Sequence, residues 1–168
     1  MPVPTQEQQD LFQLICNHAG FAPSLADNVR IYEVDEIPPE DERGWRQIDG
    51  WKVSFEGTVG DDWTNPLGNM HGAAYAWVLD SCTSAALVAT HTPTFWGLPM
   101  LSGISLNMEL QYLNPAPKGT KLLIDVEIVK CTSKLANLRC DVKDMKTGKI
   151  YATGTQIKYW KAMATAKL

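Results

Sequence analysis

Positive charge is scarce in this 168-residue chain: 15 Lys and Arg against 19 Asp and Glu leave a net charge of −4 and a pI near 5.3. Such a surface offers no general attraction to nucleic acid. No Lys or Arg precedes Arg30, so the opening segment lacks the basic start of a secretory signal and the arginines of a transit peptide. Cysteine is equally sparse. Cys16, Cys82, Cys131 and Cys140 show neither CxxC nor zinc-ligand spacing, three of them stand among apolar neighbours, and the pattern predicts reduced core thiols in a cytoplasmic, reducing compartment. No metal site is expected, because the cysteines lack zinc spacing and His18 and His91 lie near loop or helix ends with no metal-ligand spacing. The GxSxG elbow, the P-loop and the dinucleotide fingerprint are missing too. The longest apolar run, from Ala73 to Ala89, reaches only the lower edge of a membrane span and carries Asp80 in its middle, so no span is expected.

What the chain does contain is patterned. Thr5-Gln-Glu-Gln8 has the form of a capping box and precedes Leu11, Phe12, Leu14 and Ile15 at helical spacing, predicting a short helix that Gly20 stops. Residues 28–34 read as a strand, as does the alternation of Trp51, Val53 and Phe55. After the long apolar helix, Ile104, Leu106, Met108, Leu110 and Tyr112 alternate with polar residues, the period of a half-buried antiparallel strand. Residues 122–128, 136–142 and 150–160 give three more strands, the last two joined by a turn at Lys146-Thr-Gly148.

One hydrophobic helix followed by four antiparallel strands buries itself when the sheet curls around it, an α+β architecture with the helix as filling. A single domain over 1–168 is expected, with 1–50 an N-terminal extension holding a helix and the first strand, and 51–160 the core. An open curled sheet keeps its edges, and the strand at 104–112 is the one expected to pair with a second copy. A homodimer follows, or a tetramer of two dimers.

The segment from Asn65 to Asp80 concentrates the chemistry. Pro66 and Gly68 make a turn, Gly72 sits where the helix starts, and Asp80 is the one ionisable group in the apolar run. A carboxylate buried there would cost several kcal/mol without a partner, which points to a task. The helix start presents N–H groups and partial positive charge able to hold a carbonyl oxygen that turns negative during acyl transfer. Eight residues at 1.5 Å each put Asp80 about 12 Å from Gly72. If the two act on one carbonyl, they come from different chains.

The set Asn65-x5-His71-Gly72-x7-Asp80, followed by Gly103-Ile-Ser105, resembles the hotdog-fold acyl-CoA thioesterases of the phenylacetate-thioesterase and thioesterase-superfamily-member-2 type, over roughly residues 51–160. Asn114-Pro-Ala and Thr147-Gly-Lys add to the likeness. The resemblance implies a curled antiparallel sheet wrapped around one long helix. It also implies an acyl-CoA substrate hydrolysed to free acid and coenzyme A, in lipid metabolism. Coenzyme A then belongs to the substrate, and no separate cofactor is expected. By the same resemblance, Gly72 and Asn65 polarise the thioester carbonyl while Asp80 and Ser105 of the other subunit hold and activate water. His71 and Ala73 shape the substrate-binding helix start. Ala73 stands where the family usually has a second glycine, and residues 91–100 are longer than the family pattern and suggest a cap over an acyl tunnel.

Each residue also has a plainer reading. Asp80 can brace a turn, Ser105 can be a solvated strand serine, and Asn65 before Pro66 is an ordinary turn residue. Cys82 lies in the apolar helix and points away from Asp80. Trp45, Trp51, Trp63 and Trp96 are core residues before they are pocket walls. Lys118, Lys130, Lys134, Arg139 and Lys143 are candidates for coenzyme A phosphates or simply solvated charges. Enoyl-CoA hydration on this fold pairs its aspartate with a histidine five positions on, and here that position is Ala85. A hotdog module that binds acyl-CoA without turnover is the non-enzymatic alternative.

Overall fold

The computed structural model describes residues 2–18 and 21–161, the side chains of 16–18 excepted. Gly20, the Cys16 thiol and the His18 ring therefore lie outside the described residues. Helix α1 spans Gln6–His18, β1 Val29–Val34, β2 Lys52–Thr58, α2 Gly72–Thr90, β3 Ile104–Tyr112, β4 Lys121–Cys131, β5 Leu135–Asp144 and β6 Ile150–Tyr159. The capping box forms as its residues require: the Thr5 N–H donates to Gln8 Oε1 at 2.8 Å and the Gln8 N–H to Thr5 Oγ1 at 3.3 Å.

All the strands pair antiparallel in one curled sheet, in the order β1-β2-β4-β5-β6-β3. Helix α2 lies in its concavity. Val78, Leu79, Cys82, Ala86 and Leu87 of the helix are fully buried with Leu122, Ile124 and Ile128 of β4 and Leu138 of β5. Alternation inside β4 and β5 decides this, because it sends every second side chain toward the helix. No described helix is long and apolar enough to cross a membrane.

The two sheet edges are treated differently. Along β1, Gln9 of α1 binds the backbone of Ile31 twice, Nε2 donating to its carbonyl at 2.6 Å and Oε1 accepting its N–H at 3.0 Å, and Gln13 donates to the Val29 carbonyl at 2.9 Å. Side chains of α1 thus occupy backbone groups that an edge strand would otherwise offer to another chain. Among the described residues strand β3 has no such cover. Its expected half-burial is not found in the single chain: Ile104, Leu106, Met108 and Tyr112 are all exposed and only Leu110 is partly buried. The alternation is real, but α2 meets this edge strand at Ser105 and Tyr112 and leaves most of its side chains exposed.

Gly154 of β6 shows how tightly helix and sheet meet. A Cβ there would stand 2.8 Å from both the Glu109 carbonyl oxygen and Leu79 Cδ2. Gly154→Ala is expected to destabilise the fold by about 1–3 kcal/mol through overpacking. Urea unfolding checks this, and an unchanged midpoint would show that the contact is not rigid.

Candidate active site

The candidate residues gather at two places along α2. At its start, Asn65 makes a turn in which Oδ1 accepts the N–H groups of Leu67 at 2.9 Å and Asn69 at 3.3 Å. A bridge between Thr64 and Met70 closes the loop. The His71 backbone N–H is held by the Trp63 carbonyl at 2.7 Å, and His71 caps the helix, its Nδ1 accepting the Ala73 N–H at 3.0 Å. The Ala73 donor is thereby used. Gly72, the first helical residue, has no intrahelical acceptor for its own N–H. Its face is narrow: a Cβ on Gly72 would lie 3.2 Å from the Tyr112 hydroxyl, which donates to the Gly72 carbonyl. Tyr75 packs edge-on against Tyr112, and burial pushes its phenol up to about 12, so it stays protonated at neutral pH.

The second place centres on Asp80, and here the expected burial is corrected. Its side chain is 52% exposed. Asp80 shares an open stripe of the helix with Ala73, Ala76, Ser81 and Ser84, while the apolar residues around it face the sheet. Three donors converge on one of its oxygens: Gln156 Nε2 at 2.6 Å, Ser105 Oγ at 3.3 Å and Lys158 Nζ at 3.4 Å all reach Oδ1. Gln156 also donates to Ser105 Oγ at 2.8 Å, and its own carbonyl accepts the Thr83 hydroxyl. Lys158 reaches Ser84 Oγ at 2.6 Å. No described residue donates to Oδ2.

Ser105 arrives at Asp80 through an irregularity. In β3 it lies opposite Lys158, and Met108 lies opposite Gln156, yet Asn107 lies opposite Ile157. Directly opposed residues share a face. The register shift around Leu106 is a β-bulge, and it turns Ser105 to the inner face although simple alternation places it with Asn107 and Glu109 outside.

Gln156, Lys158 and Thr83 are site residues that the sequence reading missed. Their signal was weak but present. In β6, Ala152, Gly154, Gln156 and Lys158 fall on one parity and are all buried, so two long polar side chains occupy the face turned to the helix. Buried polar groups of that size need partners.

The remaining candidates stay apart. Cys82 and Cys140 are buried, while Cys131 is only half-buried and not a core thiol. Burial and the nearby Asp49 carboxylate push the Cys131 thiol up to about 12, far from a thiolate nucleophile. Trp51, Trp63 and Trp96 are core, whereas Trp45 is exposed and stacks on Phe95. Lys118 pairs with Asp61, Lys130 with Asp49 at 2.6 Å, Arg139 with Glu127 at 3.6 Å and Lys143 with Asp125 at 2.8 Å. Lys118 alone lies beside the helix start, its N–H bound to the Gly68 carbonyl. Among the described residues no His, Cys, Asp and Glu cluster is placed to hold a metal.

Comparison with known proteins agrees with this architecture. A family model described as the thioesterase superfamily matches residues 67–151. Acyl-coenzyme A thioesterase 13 of Mus musculus is 33% identical over 108 residues, covering 64% of this chain and 72% of its own, and the Homo sapiens protein of that name is 32% identical over the same span. Among solved structures, thioesterase superfamily member 2 of zebra fish superposes with a TM-score of 0.71 at 24% identity, covering 91% of this chain and 95% of its own. A hypothetical thioesterase protein of Streptococcus pneumoniae, solved with coenzyme A, gives 0.64 at 18% identity over 89% of this chain and 98% of its own. A curled antiparallel sheet around one helix, the match across its central segment and the relatives over most of their own length together place this chain in the thioesterase superfamily, as a thioester hydrolase of hotdog fold.

Proposed function

We propose that the chain hydrolyses acyl-CoA thioesters to free acid and coenzyme A, at sites each assembled from two copies of the chain. The observation that carries this reading is the division of labour on Asp80. Oδ1 is fixed by three donors, while Oδ2 is left to accept a proton from water in an exposed position. Ser105 lies within reach of the same water. In the proposed reaction Oδ2 takes one proton as the water oxygen attacks the thioester carbon. The carbonyl oxygen becomes an oxyanion and accepts from the Gly72 N–H and the Asn65 amide, whose Oδ1 is occupied by its own turn and whose NH2 supplies the donor. Collapse breaks the C–S bond, and the thiolate of coenzyme A leaves with the proton returned by Asp80.

Gly72 and Asp80 are about 12 Å apart along one helix. The exposed apolar strand β3, with Ser105 at one end and Tyr112 against Gly72 at the other, supplies the surface through which a second copy would bring its own Asp80 to this Gly72. The cytoplasmic setting and the lack of a separate cofactor belong to this reading. Free-thiol release from a panel of acetyl to palmitoyl and phenylacetyl thioesters of coenzyme A tests it. Release from at least one member is expected, and silence across the panel would end the assignment.

Lys158 yields a separate expectation. Burial holds its ammonium below the usual 10.5, and the Asp80 carboxylate pulls partly the other way. The native pKa is therefore below the unfolded one, so the folded chain loses this proton first as pH rises. The cost of the buried charge is complete below the native pKa and is relieved between the native and the unfolded values. The difference in unfolding free energy between wild type and Lys158→Met should thus move in favour of the wild type as pH climbs from 7 toward the lysine range. Urea titrations at several pH values measure it; a flat difference would show that Lys158 is not held in this way.

A further inference from the structure

Gln156 is fully buried in β6, on the face turned to α2, with Gly154 and Lys158 on the same parity. A core position of this kind can be filled by methionine with no hydrogen bonds to satisfy, so packing alone does not call for an amide. The amide brings two N–H donors and a carbonyl oxygen, and each needs a partner. All three have one, and two of the partners are candidate catalytic groups. Nε2 donates to Asp80 Oδ1 at 2.6 Å and to Ser105 Oγ at 2.8 Å, while Oε1 accepts from the Thr83 hydroxyl. Among the described residues only Gln156 donates to both Asp80 and Ser105.

The amide is seated one way round. Turned over, it would set its carbonyl oxygen 2.6 Å from the Asp80 carboxylate, with no hydrogen between the two oxygens. Asp80 thus fixes the amide, and the amide fixes the serine. With one lone pair of Ser105 Oγ taken by Gln156, its hydroxyl hydrogen points to Asp80 Oδ1 at 3.3 Å. One lone pair of Oγ then remains open, as does Asp80 Oδ2. A water that donates one hydrogen to each of these acceptors keeps its own lone pairs turned away from both, free for attack.

We propose that Gln156 is a positioning residue of the hydrolytic reaction. It locks Asp80 of α2 and Ser105 of β3 into a pair of acceptors that orient the attacking water, and it touches neither water nor substrate itself. The inference rests on the reading of Asp80 as the general base.

Steady-state kinetics on a thioester that the wild type hydrolyses tests it. Gln156→Met keeps the volume and removes both donors, so kcat should fall about tenfold to a hundredfold with KM within about twofold of wild type. Gln156→Glu also keeps the acceptor for Thr83, yet should fall at least as far, because an oxygen replaces the donor at Asp80. Ser105→Ala should lower kcat about tenfold in the wild type and only about twofold in Gln156→Met, since a serine no longer held contributes little. Urea unfolding checks that each variant is folded. Should neither Gln156 variant fold, Thr83→Val carries the test: it frees the carbonyl end of the amide and should lower kcat about threefold at unchanged KM.

A wild-type kcat in a folded Gln156 variant, a loss confined to KM, or losses that multiply in the double variant would overturn the positioning role. An unchanged kcat in Thr83→Val would do the same where only that variant folds. Asp80→Asn, run alongside, separates the two readings. If it turns over at the wild-type rate, or the wild type is silent on every thioester, the base reading fails and the proposal with it. A crippled Asp80→Asn beside an unaffected Gln156→Met removes the positioning role alone.

Discussion

Asp80→Asn is expected to lower kcat by about a hundredfold to ten-thousandfold, roughly 3–5 kcal/mol of transition-state stabilisation, with KM little changed. The geometry makes the substitution a clean probe. Gln156, Ser105 and Lys158 all donate to a single oxygen, and an asparagine keeps that acceptor in place. What is lost is the second oxygen, where an amide NH2 cannot accept a proton from water. Half exposure of the acid limits the structural penalty of losing its charge beside Lys158, so unfolding free energy should change by no more than about 1 kcal/mol. Steady-state kinetics and urea unfolding on the same preparation separate the two effects. Near-wild-type turnover would show that Asp80 only braces the Gln156 and Lys158 network.

Placing lysines on the uncovered edge, as Leu106→Lys with Met108→Lys, should convert the proposed dimer to monomers and reduce kcat/KM by at least about a hundredfold. Both side chains are exposed in the single chain, at 57% and 43%, so the subunit itself has little reason to unfold. Sedimentation velocity gives the size and circular dichroism the fold. A monomer that retains full activity would mean that one chain supplies the whole site. Mixing gives a sharper version of the same result. Asp80→Asn lacks the base and Gly72→Val blocks the helix start, where even a Cβ meets Tyr112 at 3.2 Å. Refolded together in equal amounts, they should recover about a quarter of wild-type activity, because half of the dimers carry one intact composite site out of two. Sites confined to one chain would recover nothing.

Local signals in the sequence were legible where local physics decides the outcome. The Thr5–Gln8 box, the α2 boundaries and the turn at Lys146–Gly148 depend on neighbours within a few residues, and they stand where the pattern put them. Long-range geometry was not legible in the same way. An unbroken apolar run gives the mean environment of a helix, so it concealed that Asp80, Ser81 and Ser84 share its one open stripe. Half-burial of β3 was read from alternation, although burial requires a covering partner that alternation cannot provide. Gln156 and Lys158 were missed because their strand parity becomes meaningful only once the curl of the sheet shows which face meets α2.

The bulge at Leu106 has a consequence for comparing this chain with its relatives. Strand β3 consists of two stretches in opposite phase, and the side of the sheet on which Ser105 emerges is set by one uncounted residue rather than by its own identity. A homologue could align with serine at this position and still present it to solvent if its strand runs without the extra residue's detour. Conversely, a chain lacking Leu106 altogether would keep Ser105 opposite Lys158. In this segment, spacing decides which side chains face α2, and a substitution table that scores residues one at a time would be blind to it.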